Sequence, residues 1–340
     1  MDIKEIEQEV KSKKYNFLRE NEHLGKNIIL LTLGGSYSYG TNVESSDLDI
    51  RGVALNKPQE LLGMSNFEQF ENRETDTTVY SFKKMVNLLL NSNPNIVEMF
   101  GCKEDHYLVL TDIGKLLKDN IDLFISQKAI NSFGGYANQQ LRRLQNALAR
   151  DNYPQSEKEQ HILNSINNQM THIERVYEDK HGIKLYIDKS SKEDYENEIF
   201  MDISTKHYPL RDFKCIYSEM NNVVKEYSKL NHRNRKKDDL HLNKHAMHLI
   251  RLYLMAIEIL EGQGINTYRE NDRKLLLEIR NGKYMKEDGS YRSEFFEWVD
   301  ELDKKLKYAK KNTSLPKTPN MKKVEEFVIA VNRKAIVNDK

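Results

Sequence analysis

At 340 residues the chain is long enough for a substantial core and for two domains. Charged residues make up 31% and apolar residues only 38%, a balance that fits a soluble protein with long solvated helices. The net charge of +1 removes any global electrostatic case for nucleic acid, so a surface of that kind must be local. No apolar run approaches the roughly 18 residues of a membrane span, and the charged start MDIKEIEQEV lacks a signal-peptide core. Cys102 and Cys215 stand apart without metal-ligand spacing, which points to a reduced, cytoplasmic setting.

In chain order, charge alternates with Ile3, Ile6, Val10, Tyr15 and Leu18 over the first twenty or so residues, the pattern of an amphipathic helix. Residues 28–33, 47–55 and 75–81 read as strands, with a short helical turn opened by Pro58 and ending at Leu62. A helix is expected from Phe82 to Leu90, stopped by Asn91-Ser92-Asn93-Pro94, and another turn from Ile96 to Phe100. From Asp112 onward apolar spacing turns helical over 112–125, 127–150, 156–178, 209–230, 241–262, 272–280, 291–311 and 319–337. Gly134-Gly135 threatens the second of these, and 180–208 has room for a strand or two. The expected fold class is α+β, with a small mixed-sheet head over 1–110 and a mostly helical domain over 111–340.

The chemistry concentrates early. The apolar strand Ile28 to Leu33 runs into Gly34-Gly35-Ser36, where backbone approaches an anion closely and turns its N–H groups toward it. Eleven residues after Ser36 comes Asp47-Leu48-Asp49. On a strand the two aspartates share a face, roughly 7 Å apart. Two carboxylates at that separation repel by about 2 kcal/mol at an effective dielectric near 20, and a divalent cation removes that penalty. A triphosphate is what brings such ions to a Gly-Ser turn.

The stretch LGGSYSYGTNVESSDLDIRGV, Leu33 to Val53, resembles the polymerase-β-like nucleotidyltransferase superfamily. Asp76-Thr77-Thr78-Val79-Tyr80, Asn93-Pro94-Asn95-Ile96-Val97-Glu98, Lys244 to Leu252 and Ile279-Arg280-Asn281-Gly282 resemble one branch of it. That branch is the predicted bacterial and phage nucleotidyltransferases associated with RNA ligases. The resemblance spans roughly residues 25 to 285. It implies a nucleotidyltransferase of EC 2.7.7 type that moves a nucleoside monophosphate from an NTP such as ATP to an acceptor hydroxyl. It also implies two Mg²⁺ ions, with Mn²⁺ as a substitute, on Asp47, Asp49 and a third carboxylate. Asp76 is the candidate for the third acid, sharing a strand face with Thr78 and Tyr80, and Glu74 is its competitor. Gly34, Gly35 and Ser36 are expected to hold the β and γ phosphates.

Lys244, His248 and Arg251 lie at i, i+4 and i+7 of a helix, one face that reads either as a triphosphate clamp or as a solvated ladder. Residues 229–251 carry seven Lys or Arg against two Asp, and the run His232 to Lys237 suits an RNA backbone or a solvated loop. Tyr136, Gln139 and Arg142, with Arg143 beside them, read either as a face that stacks on a base or an acceptor or as an ordinary helix surface. Glu98 reads as structural ahead of ordering the site, and Arg280-Asn281-Gly282 first as a helix C-cap, with Arg280 also able to reach a phosphate. His106, His161, His172 and His181 show no ligand spacing. RNA is the favoured acceptor, ahead of a protein side chain or a small molecule. From a different class, a nucleotide sensor or antitoxin-like partner would hold an NTP without turning it over.

Overall fold

The computed structural model describes residues 1–152, 184–190, 197–203 and 239–338, with scattered positions between 160 and 225. Asp2 caps α1 (Ile3–Lys11), its side chain accepting from the Glu5 N–H while Glu5 accepts from the Asp2 N–H, a reciprocal capping box. The helix stops at Ser12, and α2 (Phe17–Glu20) follows after a short turn. The single helix expected over the first twenty residues is therefore two. Arg19 accounts for the break, donating back to the carbonyls of Val10 and Ser12, each at 2.9 Å.

Five strands form a mixed sheet: β1 (Ile28–Leu33), β2 (Ile50–Ala54), β3 (Gln69–Asn72), β4 (Thr77–Ser81) and β5 (Tyr107–Leu110). Their order is β3-β4-β2-β1-β5, with β2 and β4 parallel and every other pairing antiparallel. All six residues of β1 are buried, as the continuous apolar run requires of a central strand. Leu31, Ile50 and Val79 pack with Tyr15 and Leu18 in one apolar cluster. Strands alternate their side chains, so Asp49 and Arg51 turn to the opposite face from Ile50. The connections include α3 (Gly35–Tyr39), α4 (Pro58–Leu62), α5 (Phe82–Leu90) and α6 (Pro94–Val97), and α5 packs on β4 and β2.

Helices α7 (Asp112–Asp119) and α8 (Lys128–Asn152) follow, and Gly134-Gly135 does not interrupt the latter. A hairpin of β6 (Lys184–Lys189) and β7 (Asn197–Asp202) fills the irregular region. Then come α9 (Asp239–Leu260), α10 (Arg273–Arg280), α11 (Ser293–Asn312) and α12 (Met321–Asn338). Most of the helices expected over 156–178 and 209–230, and all of the basic run His232 to Lys237, lie outside the described residues. Among the described residues no helix is long and apolar enough to cross a membrane.

Two compact units divide the chain. One holds Met1–Asn138, Met247–Ile279 and Phe296–Lys340; the other holds Gln139–Ala246 and Arg280–Phe295. The unit with the sheet thus extends well beyond residue 110 and takes in segments from the helical C-terminal half. In the other unit, the Tyr291 hydroxyl donates to Asn243, and His245 Nδ1 stands 2.8 Å from Gln140 Oε1.

Candidate active site

The end of β1 and the start of β2 meet at Gly34, whose N–H donates to the Asp49 carbonyl at 2.8 Å. That amide continues the β1–β2 ladder, so it is not among the donors the turn offers to a phosphate. Gly35 and Ser36 instead open α3, where first-turn N–H groups have no partner within the helix. Gly35 has φ +53, in the left-handed region, and a Cβ built on it would overlap Asp49 Oδ2. Glycine is required there twice over, by backbone conformation and by the carboxylate lying against it. The loop that returns to β2 is closed by the Ser46 hydroxyl, which accepts from the Val43 N–H at 2.9 Å. Asp47 is exposed and Asp49 half-buried, both just ahead of β2.

The parallel pairing of β2 with β4 brings in Asp76, the candidate third acid. Ile50 is opposite Thr77, and the Ile50 N–H donates to the Asp76 carbonyl at 3.1 Å. The same register sets Asp49 beside Asp76 at one end of two neighbouring strands. Asp76 is not on the strand itself, as the sequence suggested, but in the turn from β3 to β4, with φ +41. Aspartate is one of the few side chains that tolerates this conformation. Glu74 sits in the same turn, exposed, two residues further from the strand.

Arg51 joins the acids, a role the sequence reading missed. One guanidinium nitrogen donates to the carbonyls of Asp76 and Ile50 at 2.5 and 2.9 Å; the other reaches Asp76 Oδ1 at 3.1 Å. The second nitrogen also stands 3.7 Å from Asp49 Oδ1. The only cue was its place two residues after Asp49, on the same strand face. Tyr80 shares that face. Burial pushes its phenol up, Arg51 works against the shift, and Tyr136 is close enough to add to it. Tyr136 is half-buried; the side chains of Gln139 and Arg142 lie outside the described residues.

Behind α3 lies a second charged group. Asn93 caps α6, accepting from the Asn95 N–H, and Pro94 starts the helix, which runs on into a tight turn carrying Glu98. Glu98 accepts from the Tyr39 hydroxyl and from Arg251, each at 2.6 Å. The Arg251 guanidinium lies 3.6 Å from the centre of the Tyr39 ring, a cation–π contact. Arg251 and Glu98 side chains are only 5% and 8% exposed. Burial works against the Arg251 cation, but Glu98 and Tyr39 outweigh it and hold the guanidinium above its ordinary range. Burial, with Glu98 beside it, pushes the Tyr39 phenol well up. A small cavity of about 90 Å³ lies between Gly34, Gly35, Tyr39, Arg51, Asn95 and Glu98.

Of the residues expected to form a triphosphate clamp, Lys244, His248 and Arg251, the last two lie against Tyr39 and Glu98. Arg251 is committed to Glu98 inside the protein, while half-buried His248 meets the Tyr39 ring edge-on at 6.1 Å between centres. Lys244 is exposed and falls in the other unit. The structural role expected of Glu98 holds, as does the C-cap: α10 ends at Arg280 and Gly282 has φ +90.

Among the described residues no three or more Asp, Glu, His or Cys side chains converge as a metal cage. The donor chemistry nevertheless suits a hard divalent cation, since Asp47, Asp49 and Asp76 carry carboxylates just ahead of the neighbouring strands β2 and β4, beside a glycine turn. A family model described as the RNA repair pathway DNA polymerase beta family (RlaP) matches residues 5–175, half of the chain and the whole five-stranded sheet. No curated protein and no solved structure matches it. A match over that length, across the mixed sheet and the glycine turn, shows that the chain belongs to the RNA repair pathway DNA polymerase beta family.

Proposed function

We propose that the protein transfers a nucleoside monophosphate from an NTP to an acceptor hydroxyl and releases pyrophosphate. Membership of a polymerase-β-like family implies nucleotidyltransferase activity, and such enzymes generally use divalent metal ions. The observation that carries the finer reading is the parallel β2–β4 register, which puts Asp49 and Asp76 side by side next to the Gly35 turn.

In this reading Asp47 and Asp49 would hold the ion that accompanies the triphosphate, and Asp76 with Asp49 would hold a second, Mg²⁺ being the expected ion. When bound, such ions neutralise phosphate charge and favour loss of the acceptor proton. The chain supplies the rest. The Gly35 and Ser36 amides at the start of α3 face the terminal phosphates, and the Ser36 hydroxyl adds a donor. The acceptor oxygen forms a bond to the α-phosphorus as the α–β bridging P–O bond breaks. Pyrophosphate leaves with that bridging oxygen, and the hydroxyl proton passes to solvent. Tyr80, with Tyr136 close to it, offers an aromatic surface for a base or the acceptor nucleoside to stack on.

RNA is the acceptor we favour, on the strength of the RNA repair context in the family's description. The test is incubation with each α-labelled NTP and Mg²⁺ in the presence of RNA, protein or small-metabolite fractions. Label entering RNA with stoichiometric pyrophosphate is expected. Label in protein or metabolites would move the acceptor, and NTP binding with no pyrophosphate from any fraction would make the protein a nucleotide sensor instead.

A further inference from the structure

Arg51 sits where an electrostatic problem would otherwise arise. Asp49 and Asp76 end up as neighbours because β2 and β4 pair in parallel, and two like charges at adjacent strand ends repel. The Arg51 fork spans them, bonding Asp76 through both its carbonyl and its carboxylate and standing 3.7 Å from Asp49 Oδ1. The contacts are also lopsided. Asp76 has 56% of its side chain exposed, whereas Arg51 has 22%, so the acid is a turn residue leashed to a better-anchored base. An arginine whose only task was to pack would not take up both oxygens of a strained turn residue while also lining the cavity beside Gly34 and Gly35.

We propose that Arg51 is a built-in counter-ion: it holds Asp76 beside Asp49 in the nucleotide-free protein, and an arriving divalent cation must displace it. The inference rests on the reading of Asp49 and Asp76 as metal ligands. It adds a property that reading does not contain. The free protein binds divalent ions weakly by construction, because a fixed positive charge already lies between the carboxylates. Occupation of the acid pair is thereby coupled to arrival of the triphosphate, which offers the displaced guanidinium new anionic partners and a bidentate geometry it already suits.

The readout is Mn²⁺ binding to the full-length protein without nucleotide, followed by the paramagnetic signal of free Mn²⁺. Arg51→Gln should tighten Mn²⁺ binding roughly tenfold, since one nearby positive charge is removed at a partly screened surface. Adding Asp76→Asn to that variant should reverse the gain. A folded Arg51→Gln protein with unchanged or weaker Mn²⁺ affinity would overturn the proposal. A second measurement needs no variant: in a crystal structure at saturating Mn²⁺ and non-hydrolysable NTP, the wild-type Arg51 guanidinium should have left Asp76 Oδ1. Retention of that contact with the ion bound would equally sink it. Wild-type pyrophosphate release separates the two failures. Its presence with an unmoved Arg51 defeats only the counter-ion, and its absence under every acceptor condition defeats the nucleotidyl-transfer reading beneath it.

Discussion

Two arginine–carboxylate groups flank the Gly34-Gly35 turn, and they differ mainly in access to water. Arg51 with Asp76 and Asp49 lies at one end of the paired strands β2 and β4, with side-chain exposures of 22%, 56% and 18%. Arg251 with Glu98 and Tyr39 is sealed behind α3, the arginine and glutamate at 5% and 8%. An exposed pair contributes about 0–1 kcal/mol to stability because water competes for both partners. A buried pair exacts a large penalty when only one member is removed, since a charge is left without water or partner. The same chemistry therefore serves two ends. At the strand ends it can exchange partners with little loss of fold, and behind α3 it fixes the helix on which the turn depends.

The largest effect should come from splitting the buried pair. Glu98→Ala strands the Arg251 guanidinium and frees the Tyr39 hydroxyl, and should destabilise the protein by about 3–5 kcal/mol in denaturant unfolding. Arg51→Gln in the same assay should change stability by no more than about 1 kcal/mol. Similar losses from both would erase the distinction.

Next is the ranking of the two acids in the β3–β4 turn. Asp76→Asn should lower turnover at least about 100-fold, equivalent to roughly 2.7 kcal/mol of barrier, with NTP binding largely kept. Glu74→Gln, two residues away and exposed, should stay within a few-fold. The reverse order would remove Asp76 from the site.

Gly35→Ala links backbone to chemistry. A left-handed alanine costs about 1–2 kcal/mol, and its Cβ must push the Asp49 carboxylate aside. Stability should fall by that modest amount while turnover falls further, a split that thermal melts and pyrophosphate assays on one preparation will reveal.

The smallest effect concerns pH. Burial pushes the Cys102 thiol up to about 12. A thiol whose folded pKa is raised releases its proton first in the unfolded chain, so the contribution is whole below about pH 9 and is lost as pH climbs toward 12. Stability should decline through that window, and in a Cys215→Ser background alkylation of Cys102 should not accelerate between pH 7 and 9. A thiol that reacts readily at pH 8 would contradict its burial.

Much of the strand-end group could be read from the chain, and little of the buried one. Gly34-Gly35-Ser36 and Asp47-Leu48-Asp49 are local patterns on neighbouring strands, so their spacing already contains their proximity. The apolar run of β1 is equally explicit. β3 was not legible, because Gln-Phe-Glu-Asn is a polar edge strand with no apolar alternation, and without it the turn holding Asp76 looked like the beginning of β4. β5 is four partly exposed residues. Arg251 meets Glu98 across 153 residues, a distance over which helical spacing carries no information. That spacing put Lys244, His248 and Arg251 on one face but not what lay opposite. Arg51 follows Asp49 by two residues, yet nothing in one strand tells that its fork reaches a turn on the next.

The claim that Asp49 belongs to a nucleotidyl-transfer centre is tested most directly by pyrophosphate release from wild-type and Asp49→Asn protein, measured with Mg²⁺, each NTP and RNA. The account predicts release by the wild type, a loss of at least about 100-fold in the variant, and superimposable melting curves. A folded Asp49→Asn protein that releases pyrophosphate at the wild-type rate would contradict it.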